Sequence, residues 1–414
     1  MSLSHQTQSN TVQNSLSGYT ADIAEIWRIP GGLRSAKALL LCLVVTGSLS
    51  GCGGVQVSPE TAPPGNRGFS GIAVSDEPRV TLTGRDVILA GGNAADAAAS
   101  MALSLTVTLP SRAGLGGGGM CAVFDPKTNK SEVLDFTQTT AAQPMVARGM
   151  AALVARYGSR GWSNAVASAE TLARFGFPVS KMLASDLAAN GSVLMSDQAA
   201  LTTFMDRRRQ FAAVGTEVRL PQLAETLQKL RTEGAGVLPS GTPQWRVATI
   251  TKESDVTLEG GGLDAKDDAP TAATSFVVGD KKGMAVTCVL SMGAPFGSGR
   301  TTEGGYFTAQ AAPLSAVPVI GFDFQHTHVV FVGAAHGAAA ADLVRKSVSA
   351  WLVNDRPYDD VRNELQQASG DGAKGSINAA VCRGGLALLG SGCRTMTDAK
   401  GYGLGQTFGP DTPK

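Results

Sequence analysis

The sequence has no excess of charge: 35 Lys and Arg stand against 34 Asp and Glu, a formal net charge of +1. That balance leaves no electrostatic footprint for nucleic acid. Histidine is scarce, and His5, His326, His328 and His336 show no ligand spacing with the cysteines, so no metal site is expected. No fixed-period repeat is present. No apolar run is long enough to span a bilayer stably, and the candidate at Ala38 to Leu49 is too short. No organic cofactor is implied either. The 414 residues could form two or three domains or one large layered one.

The short apolar run has a different meaning. Arg34 and Lys37 precede it and Leu49-Ser50-Gly51-Cys52 ends it, an order that resembles a bacterial lipoprotein signal. Lipidation of Cys52 is therefore expected, with the protein anchored in a bacterial cell envelope and facing the periplasm. Residues 1–51 form an N-terminal extension and signal, and residues 52–70 a flexible tether. The polar residues 1–32 fit a misassigned start codon, with synthesis from near Leu33. In an oxidising compartment Cys382 and Cys393, which flank R-G-G-L-A-L-L-G-S-G, are expected to form a disulfide. Cys121 and Cys288 sit in β-prone apolar runs and read as buried small hydrophobes.

From Gly71 the pattern begins as a strand. Asn93 is a good N-cap for an Ala-rich helix over 94–107. Alternation over 120–136 around Asp125-Pro126-Lys127-Thr128-Asn129 predicts a hairpin. Helices are expected at 145–157, 163–175, 180–191, 196–209 and 221–233, punctuated by Gly158, Gly176 and Pro178. Residues 234–272 show no sustained period and read as a linker.

The stretch P-T-A-A-T-S-F-V-V-G-D-K-K-G-M-A-V-T-C-V-L places Thr274 at the head of a predicted β-hairpin. An ordinary hairpin explains Thr274 by β propensity alone. Alternatively, cleavage before Thr274 would give one residue both a hydroxyl nucleophile and an α-amine to activate it. Small Ala272 and Ala273 leave that carbonyl uncrowded.

Gly91-Gly92-Asn93-Ala94-Ala95-Asp96 followed by Pro110-Ser111-Arg112-Ala113-Gly114-Leu115-Gly116-Gly117-Gly118-Gly119-Met120 resembles the large-subunit signature of the γ-glutamyltranspeptidases. The hairpin with Phe296-Gly297-Ser298-Gly299 resembles the start of that family's small subunit. Arg156-Tyr157-Gly158, Gly176-Phe177-Pro178-Val179-Ser180 and Arg219-Leu220-Pro221-Gln222 fall between them in the same order. The resemblance covers most of residues 70–345. It implies the four-layer αββα sandwich of the N-terminal-nucleophile hydrolases, an α/β fold, with a large-subunit-like region at 71–273 and a small-subunit-like region at 274–414. It also implies a self-processed amide hydrolase or acyl transferase whose two cleaved halves are partners, acting on a small amide or peptide. Thr274 would be the nucleophile, Ser291 its hydroxyl neighbour, and His336-Gly337 the oxyanion site, while Thr137 and Ser315 stand where substrate is bound.

Several positions depart from the family pattern. Counting back without gaps from Phe296-Gly297-Ser298-Gly299 puts Ala273, not Thr274, at the nucleophile position. Thr137 replaces an arginine that would clamp a carboxylate, which argues against γ-glutamyl groups as the best substrate. Gly293 replaces an asparagine, and only Ser315 remains of a serine pair. A catalytically inactive envelope lipoprotein that keeps the fold is the rival reading.

Overall fold

The computed structural model describes residues 68–137, 143–263, 272–370, 375–397 and 402–410. The signal-like segment, most of the tether and Cys52 lie outside them.

The first sheet runs β15-β1-β9-β10-β2-β3-β6, and each neighbouring pair is antiparallel. Its strands are β1 (Gly71–Ser75), β2 (Gly118–Asp125), β3 (Lys130–Phe136), β6 (Gln244–Val247), β9 (Ala272–Asp280), β10 (Ala285–Gly293) and β15 (Leu404–Phe408). β4 (Phe177–Pro178) and β5 (Glu217–Val218) make a separate small pair. The second sheet, β14-β13-β12-β11-β8-β7, contains β7 (Thr249–Glu253), β8 (Val256–Gly260), β11 (Ala316–Phe322), β12 (Val329–His336), β13 (Ser376–Val381) and β14 (Arg394–Met396).

Alternation along the strands builds three apolar layers. Ile72, Val74, Ala122, Val277 and Val289 face Ile320, Val332, Ala334 and Ala380 between the sheets. The opposite side of the first sheet presents Phe136, Phe276, Val278 and Leu290 to helices α1 (Pro78–Leu89), α2 (Ala94–Thr108), α3 (Val146–Tyr157), α4 (Trp162–Phe175), α5 (Lys181–Asn190), α6 (Gln198–Phe204) and α7 (Pro221–Glu233). The outer side of the second sheet packs Phe331, Ala335 and Ile377 on α8 (Ala340–Val348) and α9 (Tyr358–Gly370). The result is helix, sheet, sheet, helix.

α2 lies at the centre of its layer and is buried along its whole length, which its Ala-rich composition permits. Its start is fixed by a capping box: Asn93 accepts from the Asp96 N–H and Asp96 accepts from the Asn93 N–H, each at 3.0 Å. α6 is shorter than expected, ending at Phe204. Residues 244–260, expected to be linker, instead form β6, β7 and β8. The cysteine reading also changes. Cys121 lies directly opposite Cys288 in the β2–β10 register, and the two form a disulfide 167 residues apart in sequence. Cys382 and Cys393 form another.

Candidate active site

Two polar sites flank the start of β9. The first is a cavity of about 250 Å³ at the ends of β2, β3 and β10, whose lining includes Gly118, Asp135, Thr137, Ser291, Gly293 and Gln310. Thr137 donates its backbone N–H and its hydroxyl to Asp135 Oδ1, at 3.0 and 2.7 Å. The other Asp135 oxygen lies 3.4 Å from the Arg246 guanidinium of β6. Ser291 donates to the Ala272 carbonyl and accepts the Gly293 N–H, both at 2.9 Å. That serine–glycine step is an irregularity in the β9–β10 register. Gly293 has φ +77°, and a Cβ there would lie 1.8 Å from the Gln310 carbonyl oxygen. Glycine at this point is a steric requirement of the strand.

The second site is sealed. Where β1 gives way to α1, the Asp76 carboxylate accepts the Thr274 hydroxyl proton at 2.7 Å and the Ser275 N–H at 3.3 Å through Oδ2. Its Oδ1 accepts from the Asn378 amide of β13 at 2.7 Å, and Asn378 also donates to the Ser275 carbonyl and hydroxyl. Thr274, Ser275 and Asn378 have no exposed surface and Asp76 has 1%. A carboxylate buried this completely is tolerable because donors satisfy both oxygens.

Two titratable neighbours share the burial. Glu77, the N-cap of α1 ahead of Pro78, is almost fully buried. Burial pushes its carboxyl up to about 7, against hydrogen bonds from Ser180 and the Arg79 backbone that favour the charged form. His336 closes β12 with its ring buried and no partner for Nε2 among the described residues. Burial pushes its pKa down to about 4; Asp76 opposes that shift and Arg112 reinforces it.

The expected site residues therefore divide. Thr137 and Ser291 line the cavity, Thr274 and His336 belong to the buried side, and Ser315, also buried, lies between β10 and β11 in sequence. The Gly337 N–H is engaged by the Ser315 carbonyl at 3.0 Å. Thr274 is the third residue of β9, opposite Leu290, while Ala273 lies opposite Ser291. Because side chains alternate, Ala273 shares the inter-sheet face with Val277, and Thr274 shares the helix-facing side with Phe276. Asp76, Asn378 and Arg246 were not anticipated from sequence. Ser75-Asp76-Glu77-Pro78, two acids at a strand's end before a proline helix start, was a usable signal for the first. Asn378 and Arg246 carried none.

In three dimensions the protein is similar to the cephalosporin acylase of Bacillus halodurans, with a TM-score of 0.63 at 15% identity over 85% of this chain and 99% of that one. With the layer order above, this defines the class: an N-terminal-nucleophile hydrolase fold. The γ-glutamyltranspeptidase family profile matches residues 80–145 and 138–267. Glutathione hydrolase 3 of Arabidopsis thaliana is 27% identical over 221 residues, covering 48% of this chain and 34% of that protein. Glutathione hydrolase 7 of Homo sapiens is 30% identical over 191 residues, 41% of this chain and 28% of the other. The Bacillus subtilis glutathione hydrolase proenzyme is 25% identical over 235 residues, 49% and 40% respectively. Residues 80–267, somewhat under half of the chain, are thus similar in sequence to the γ-glutamyltranspeptidase family. The chain's matches span less than half the length of these curated relatives.

Proposed function

We propose that this protein is a γ-glutamyltransferase-like amide hydrolase or acyl transferase, processed by its own chemistry before Thr274 and acting through an acyl-threonine intermediate. The observation that carries the reading is a buried hydroxyl bonded to a buried carboxylate, next in sequence to the strand residue that faces Ser291 of an open polar cavity. A threonine hydroxyl is a weak nucleophile and needs such a neighbour. Cleavage would free the Ala272-Ala273 end of β9, whose carbonyl Ser291 holds. The new α-amine, with a reference pKa near ~8, would then serve as base for turnover.

The substrate class is a small amide or peptide bound in the cavity. Thr137 cannot make a bidentate pair with a carboxylate, and Gly293 cannot be replaced by asparagine without strain, so γ-glutamyl groups are not the optimal acyl donors. For the Gly337 N–H to serve an oxyanion, it would have to leave Ser315. Anchoring at Cys52 in a bacterial envelope, facing the periplasm, completes the proposal. It is supported by the apolar run that ends at Leu49-Ser50-Gly51-Cys52.

A specific observation favours a second reading. Ala273, not Thr274, presents its side chain to the inter-sheet face, as expected of an inactive protein that keeps the fold. N-terminal sequencing of purified, reduced protein separates the two. The first reading requires a fragment beginning at Thr274, cleavage in Thr274→Ser and a single chain in Thr274→Ala. An uncut wild-type protein leaves the inactive reading.

A further inference from the structure

We infer that Asp76 is the base that takes the Thr274 hydroxyl proton when the chain cuts itself; the inference rests on the reading that cleavage precedes Thr274. Asp76 Oδ2 touches the reacting oxygen at 2.7 Å in the uncut chain. Its other oxygen is held by Asn378, so the carboxylate has one defined orientation. The alternatives are poorly placed. Ser291 Oγ is committed to the Ala272 carbonyl and the Gly293 N–H. The polar neighbours of the Glu77 carboxyl are Ser180 and the Arg79 backbone, not Thr274. Among the described residues no group bonds His336 Nε2, Thr274 included.

The step balances without a further reactant except water. The Thr274 oxygen attacks the Ala273 carbonyl carbon as its proton passes to Asp76 Oδ2. The Ala273–Thr274 C–N bond then breaks, and the proton on Asp76 goes to the departing nitrogen, which becomes the α-amine. An ester now joins Ala273 to the Thr274 oxygen. Water hydrolyses it, leaving the Ala273 carboxylate and restoring the Thr274 hydroxyl. Asp76 ends as it began.

The experiment follows cutting of the full chain over time on reducing gels. Asp76→Asn keeps the shape but removes the base, and cutting should slow about 100-fold or more. Asp76→Ala should be equally slow but recover when formate, small enough to replace the lost carboxylate, is added. A structural role alone would not give formate rescue. Asp76→Asn cutting at the wild-type rate, or folded Asp76→Ala indifferent to formate, would overturn the assignment and leave the cleavage reading standing. A wild-type chain that never cuts overturns both, so the two failures are distinguishable.

Discussion

The cavity beside Ser291 and the cluster around Asp76 lie on either side of the first residues of β9, and they differ in what they lack. The cavity is open to solvent and polar, with Asp135, Thr137 and Gln310 on its wall, yet the β9 residue facing Ser291 is alanine. The cluster has the hydroxyl and a carboxylate to receive its proton, yet it is closed. One can admit a ligand, and the other has the groups to react. The segment Ala272-Ala273 separates them. On the proposed reading a cut at that point brings them together, so that processing and activity stand or fall as one.

The comparison can be broken most severely at Asn378. Its amide is bonded to a carboxylate with almost no exposure. Asn378→Ala leaves that charge short of a donor with no water to replace it, and should cost about 4 kcal/mol in urea unfolding. A loss under about 1 kcal/mol would mean that the cluster is wetter than its burial implies.

The next effect is on pH. Glu77 has a folded pKa of about 7, above its ordinary 4.5, so its contribution to stability is complete below pH 4.5 and is lost as pH rises through about 7. The size is about 3 kcal/mol at most. His336 opposes it: with a pKa lowered to about 4, its contribution is present above 6.5 and lost as pH falls toward 4. Glu77→Gln should leave the histidine slope alone, so that unfolding midpoints rise steadily across this window. A variant profile identical to wild type would place the proton elsewhere.

The smallest effect belongs to the cavity. Ser291→Ala removes bonds to the Gly293 N–H and the Ala272 carbonyl, but water can replace them at an open site. The expected loss is about 1 kcal/mol. A cost equal to that of Asn378→Ala would erase the distinction between the two regions.

What could be read in the sequence was local. Asn93 and Asp96 announce the start of α2, and the glycine-rich run at 116–119 and the Ala285–Leu290 strand resemble one family in order and spacing. The linker reading of 234–272 missed β6 and β7. Q-W-R-V and T-I-T do alternate, but these strands are only four and five residues long and largely exposed, and they sit among glycine, proline and aspartate, so the pattern reads as part of a loop. The cluster was hidden for a different reason: Asp76 and Asn378 are 302 positions apart and meet only when the two sheets stack. Thr274 was singled out early, but which way it faces depended on pleat and register, which one residue's slip reverses.

The Cys121–Cys288 disulfide has a consequence for any cut before Thr274, because its two cysteines fall on opposite sides of that point. The fragments would remain one covalent molecule with two new chain ends rather than a dissociable pair. Neither could be diluted away from the other, and neither would need to find its partner again after transient opening. Subunit exchange between copies would be forbidden while the bridge lasts. In an oxidising compartment, proteolysis would leave size and assembly unaltered, and the event would be visible only once a reductant had opened the bond.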